Sequence, residues 1–109
     1  MKLLSRQEEL VLIAVWRLQD SAYSVTIRDQ VISMTDHNWS FGAIYDPLER
    51  LEKKKLLNAV FSDPSPERGG KRKKMYSITS EGLKALVGIK NLQESVWDGI
   101  KKSALENLI

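Results

Sequence analysis

The residue types best able to do chemistry crowd into one stretch, Glu67 to Thr79, which reads ERGGKRKKMYSIT. Gly69 and Gly70 are followed by Lys71, Arg72, Lys73 and Lys74 without a break, and Arg68 stands just before them. Over residues 67–74 five basic side chains face one acidic one, a net +4, so the rest of a chain whose total is +3 sums to −1. Cations gathered on one turn, beside glycines that let backbone N–H groups approach closely, suit phosphate oxygens. A focused patch points to a located anionic partner rather than general stickiness. Such chemistry is binding. Catalysis has little to work with: Ser40 near His37 lacks a third member, and no phosphate-cradling glycine loop precedes a helix. One histidine and no cysteine cannot build a metal cluster, so neither a metal nor a cofactor is expected.

At 109 residues the chain fits one domain with a core of its own. Its 42% hydrophobic and 28% charged content are those of an ordinary globular protein. The absence of cysteine excludes disulfides and suits a reducing, cytoplasmic setting. The opening MKLLSRQEE turns polar too early for a secretory signal, and the longest apolar run, Leu10 to Trp16, is too short to cross a bilayer. No membrane partner is expected.

The elements that must position the cations follow from caps and periodicity. Ser5 and Glu8 have capping-box spacing, which predicts a helix from Arg6 to about Gln19. This helix is apolar on most sides and must be covered on most sides, in part by a second subunit. Trp16 reads as a core anchor and Trp39 as a loop anchor. A second helix carries Ile27, Val31 and Met34 on one face, capped by Ser24 or Thr26, and ends near Thr35. The third segment, SFGAIYDPLERLEKKKLL, places Ile44, Leu48 and Leu51 on one stripe. Pro47 leaves two readings open. Ser40 caps a helix that tolerates an interior proline at about 3 kcal/mol, or Asp46 caps a helix that begins at Pro47. Strand-like sequence from Leu57 to Phe61, and again at MYSIT, makes a hairpin whose tip carries the basic run. After it, Ala85, Ile89, Leu92, Val96, Ile100, Ala104 and Leu108 recur at steps of three or four. They predict one helix of most of thirty residues, roughly 40 Å long, whose overhang needs a second copy to cover it.

Helix, helix, helix, basic hairpin, long helix is the order of a winged helix-turn-helix domain, mainly α with a small β-hairpin, extended by a C-terminal dimerisation helix. Residues 1–79 would form the winged helix and 80–109 the dimerisation helix, within one compact unit.

GAIYDPLERLEKKKLL followed by ERGGKRKKMYSITSEGLKAL resembles the short form of the PadR family of bacterial transcriptional regulators. Gly42, Ile44, Tyr45, Leu48, Arg50, Leu51, Glu52, Leu56 and Leu57 match its helix motif. Arg68, Gly69, Gly70, Tyr76, Thr79 and Gly82 match its wing motif. The chain departs where Pro47 falls one residue late, where Asp46 takes the proline's place, and where Met75 replaces an aromatic. It departs again where Lys55 replaces a glycine at a corner that prefers a left-handed residue.

The resemblance implies a homodimeric repressor that binds a pseudo-palindromic operator in double-stranded DNA, relieved in some members by a small aromatic effector. It implies a third helix that starts near Ser40 and touches DNA through Ser40, Gly42, Ala43 and Tyr45. Tyr45 reads equally well as a half-buried core ring. Arg50 is expected at a phosphate or in an ion pair with Glu49 or Asp46, while Arg68, Gly70, Lys71, Arg72 and Lys73 are expected on the DNA backbone. Trp97 is expected to line a ligand pocket across the dimer axis, walled by Val11 and Val15 of the first helix, or simply to pack the dimer interface. A winged-helix module for protein or RNA contacts is the competing function, because fold alone does not fix function.

Overall fold

A computed structural model describes residues 3–63 and 72–109. Its order is α1 (Arg6–Leu18), a 3-10 turn (Gln19–Ser21), α2 (Ser24–Thr35), α3 (Phe41–Lys53), β1 (Leu57–Phe61), β2 (Lys74–Ile78), α4 (Ser80–Trp97) and α5 (Lys102–Glu106). The Ser5–Glu8 box closes as its spacing requires: Ser5 N donates to Glu8 Oε1 at 2.8 Å and Glu8 N donates to Ser5 Oγ at 3.1 Å. At α2 the cap is different. Tyr23 is the N-cap residue, and Thr26 Oγ1 accepts from its backbone N–H at 3.0 Å.

Ser40 caps α3, its Oγ accepting from Ala43 N at 3.1 Å, and the helix runs through Pro47 without a break in assignment. The reading in which Asp46 starts the helix is thereby excluded. A proline here deprives the Ala43 carbonyl of its helical donor. The ring, however, falls on the buried stripe with Ile44, Leu48 and Leu51, where its apolar burial offsets part of that cost.

The core gathers Val11, Leu12 and Val15 from α1, Ile27 and Val31 from α2, and Ile44, Leu48 and Leu51 from α3, closed by Leu57 and Tyr76 of the hairpin. β1 and β2 pair antiparallel with Leu57 opposite Ile78 and Phe61 opposite Lys74. Two strands alone would be marginal. The hairpin leans on the helices through Tyr76, whose ring is buried and whose N–H donates to Ala22 O at 2.8 Å.

The corner from α3 into β1 turns at Lys55, whose φ of 62° is left-handed, as expected where its relatives in motif use glycine. Thr79 ties the far side of this corner. Its hydroxyl donates to Lys55 O at 2.7 Å and accepts from Gly82 N at 3.0 Å, starting α4. Gly82 lies so close that a Cβ there would stand 2.2 Å from the Leu56 carbonyl oxygen. The Thr79 and Gly82 positions are thus a packing requirement of the corner.

The C-terminal region departs from expectation. α4 has 18 residues, about 27 Å, and ends at Trp97. Asp98 is extended, Gly99 adopts φ +80°, and a separate five-residue α5 follows. An Asp-Gly pair explains the break: the carboxylate is unfavourable at a helix C-terminus, and the glycine is free to turn left-handed. The predicted stripe divides: Ala85 and Ile89 pack half-buried against the core, whereas Leu92, Val96, Ile100 and Leu108 are exposed, as are Leu83, Val87 and Leu105 beside them. The radius of gyration is 16.3 Å, against about 13 Å for a compact domain of this length.

Candidate nucleic-acid interface

Local chemistry prepares the N-terminal turn of α3 for contact. Ser40, Gly42 and Tyr45 are exposed, Ala43 is half-buried, and the buried side of the helix keeps this turn at the surface. Gly42 has no packing reason to be glycine, since a Cβ there would meet only Ser40 Oγ, at 4.0 Å. Tyr45 is 47% exposed and sits 6.4 Å from the Phe41 ring, centroid to centroid. It lies outside the buried core, so it is not the core ring that one sequence reading made of it.

The turn ahead of α3 is held from α2. Arg28 Nε donates to Trp39 O at 2.6 Å, its Nη2 donates to Asn38 Oδ1 at 3.3 Å, and its guanidinium lies 4.6 Å from the Phe41 ring centroid. Trp39 Nε1 donates to Thr35 Oγ1 at 2.8 Å, so this tryptophan anchors the loop as expected, with His37 edge-on to it. Nothing in the local pattern around Arg28 marked it out, because its partners lie ten and more residues away.

The other end of α3 is tied to α1. Arg50 pairs with neither Glu49 nor Asp46. Its Nε lies 3.7 Å from Glu8 Oε2, which also receives Lys54 Nζ at 2.6 Å. Glu8 is 3% exposed. Burial pushes its carboxyl up, but the hydrogen bonds from Lys54 and Ser5 outweigh this and hold it below the ordinary carboxylate value. Arg50 keeps a half-exposed side chain, within reach of an anion outside the domain.

The stem of the hairpin carries the rest of the cations. Arg72 is exposed. Lys73 Nζ lies 4.0 Å from the Tyr23 ring centroid, while its backbone N–H donates to Ser62 Oγ at 2.9 Å and its carbonyl accepts from Ser62 N at 2.7 Å. Lys74 is committed to Glu52 at 3.0 Å, and that hydrogen bond raises its pKa against the effect of burial. Burial likewise pushes the Tyr76 phenol up. Arg68, Gly70 and Lys71 lie outside the described residues.

A second surface lies between α1 and α4, a groove of about 750 Å³ lined by Ile13, Trp16, Leu83, Leu86, Val87 and Trp97 among others. Trp97 lines this groove of the single chain. Val11 and Val15 do not: they are 1% and 2% exposed and point into the core, because α1 turns its Ile13–Trp16 side to the groove. Trp16 is accordingly no core anchor. It is 48% exposed on the groove wall. Among the described residues no group of three potential metal ligands occurs, and no helix is long and apolar enough to cross a membrane.

This geometry has close counterparts. The PadR-like family of transcriptional regulators matches residues 12–87. A PadR family transcription regulator from Clostridium difficile R20291 superposes with a TM-score of 0.68 at 26% identity, covering 96% of this chain and 100% of that one. A PadR-like transcriptional regulator from Bacillus cereus ATCC 14579 gives 0.65 at 26%, covering 93% and 88%. RosR of H. salinarum gives 0.69 at 18%, covering 96% and 89%, a likeness of fold. A search of curated proteins finds no match. With the helix motif on α3, Tyr76, Thr79 and Gly82 of the wing motif at the hairpin and its corner, and the match over most of its length, the chain belongs to the PadR-like family of transcriptional regulators, a DNA-binding family and not an enzymatic one.

Proposed function

We propose that the chain is a homodimeric, sequence-specific repressor that binds a pseudo-palindromic operator and releases it when a small aromatic ligand enters the α1–α4 groove. The observation that carries this reading is the pairing of an exposed, capped first turn of α3 with a hairpin stem that presents Arg72 and Lys73 beside it in chain order. Ser40, Gly42, Ala43 and Tyr45 enter the major groove. The hairpin, with Arg68, Gly70 and Lys71, follows the neighbouring backbone, and Arg50 serves a phosphate from the Glu8 cluster.

Dimerisation is supported by the open apolar stripe of α4 and α5 and by an outline of 55 × 30 × 20 Å, long for one small domain. A C2 partner laid along α4 would roof the groove, placing Trp16 and Trp97 around a flat ligand.

A fluorescence-anisotropy titration against the duplex upstream of the chain's own gene tests the reading. Binding that resists competitor DNA, with a stoichiometry of two chains per duplex, is expected. Binding indifferent to sequence would reject operator recognition.

A further inference from the structure

The first turn of α3 carries an apolar surface that folding does not use. Phe41 occupies the first helical position and is 43% exposed, and Tyr45, one turn on, is 47% exposed. Their rings are 6.4 Å apart and inclined by 35°, and neither belongs to the core. A phenylalanine at this position caps nothing and has only modest helix propensity. Yet one face of its ring is engaged. The Arg28 guanidinium covers one face at 4.6 Å and is itself held by Trp39 O and Asn38 Oδ1. Next to the ring, Gly42 leaves open space.

We propose that Phe41, positioned by Arg28 and flanked by Tyr45, reads the 5-methyl group of thymine in each operator half-site. The inference rests on the DNA-binding reading above. In the major groove the thymine methyl is the one apolar feature that a base pair presents, and an aliphatic or aromatic side chain senses it by contact. The surroundings suit that occupant. A cation lies against the ring, and the glycine lets the helix backbone come close. Arg28 is a positioning residue here, since it sets the ring and need not touch the base.

The test uses the full-length chain and a duplex selected by it from a random pool. Each thymine of that duplex is replaced in turn by deoxyuridine, which keeps the hydrogen-bonding edge and removes only the methyl. Loss of one buried methyl corresponds to about a fourfold drop in affinity, and on the order of fifteenfold when both half-sites are changed. The expected result is such a drop at one symmetric thymine pair for the wild type and for Phe41→Leu, with no drop for Phe41→Ala. Arg28→Lys should shrink the drop while circular dichroism and melting stay near wild type. Equal affinity for all deoxyuridine duplexes, or a drop that persists in Phe41→Ala, overturns the proposal and leaves DNA binding standing. Failure to select any duplex overturns both, and is recognised before a thymine is replaced.

Discussion

The Lys54 ammonium lies 2.6 Å from a Glu8 carboxylate oxygen across a separation of 46 residues, joining the start of α1 to the end of α3. Glu8 is buried and also closes the α1 capping box, so one side chain sets both a helix terminus and a helix–helix contact. The two partners should therefore respond unequally to removal. Lys54→Met removes the shortest contact of a buried carboxylate, leaving it Arg50 at 3.7 Å and the Ser5 N–H, and is expected to cost about 2 kcal/mol. Glu8→Gln keeps the box and releases a lysine that can reach water, at about 1 kcal/mol. Urea denaturation of both variants checks the order.

The same pair makes stability depend on acid. Glu8 has a folded pKa below its ordinary 4.5, so its contribution is full above that value and is lost as pH falls through the lower folded one. The gap in stability between wild type and Lys54→Met should accordingly narrow below pH 4.5, measured by denaturation at stepped pH.

At the helix-to-hairpin corner, two substitutions should act in opposite directions. Gly82→Ala would place a Cβ 2.2 Å from the Leu56 carbonyl oxygen, which only a backbone shift can relieve. A loss of about 3 kcal/mol is expected, with weakened DNA binding because the hairpin moves relative to α3. Lys55→Gly relieves a left-handed residue at φ 62° and should stabilise by up to about 1 kcal/mol, raising the melting temperature by about 4 °C.

The hairpin's role is read from salt. If each subunit neutralises about four phosphates, log K should fall with log salt at a slope near −7 for the dimer. Lys71→Ala with Arg72→Ala removes about half of these contacts and should flatten the slope to about −4 while leaving the fold intact. An unchanged slope would remove the hairpin from the interface.

Dimerisation through α4 predicts a specific failure. Val87 is 60% exposed on the groove wall and contributes nothing to the core, so Val87→Asp should fold normally. It should shift the protein to monomer in analytical ultracentrifugation and weaken operator binding at least tenfold, because two half-sites are no longer engaged together. A wild-type chain that sediments as a monomer at micromolar concentration would remove the basis of the repressor reading.

Local rules were enough wherever the deciding residues are neighbours in the chain. Ser5 and Glu8 mark the start of α1, and the stripe of Ile44, Leu48 and Leu51 marks the buried side of α3, while the left-handed corner at Lys55 follows from the family motif's glycine there. Pro47 leaves two readings open locally, because its cost argues against a helix while the Ser40 cap and the family motif argue for one, and the burial of its ring sides with the helix. The C-terminal helix is shorter than its periodicity predicts for the opposite reason: apolar residues recur across Asp98 and Gly99, although the helical backbone there does not continue.

Tertiary structure alone decided which partners the charges found. Arg50 passed over its neighbours Asp46 and Glu49 for Glu8, and Arg28 holds the turn ahead of α3 through atoms ten and eleven residues away. It also decided that α1 turns Ile13 and Trp16, not Val11 and Val15, toward the groove. Periodicity reports that a helix is apolar on several sides, but which side meets the core depends on the angle at which the other helices pack. Element type and the cationic turn came from the chain itself; the pairing of distant charges and the outward side of each helix came from packing.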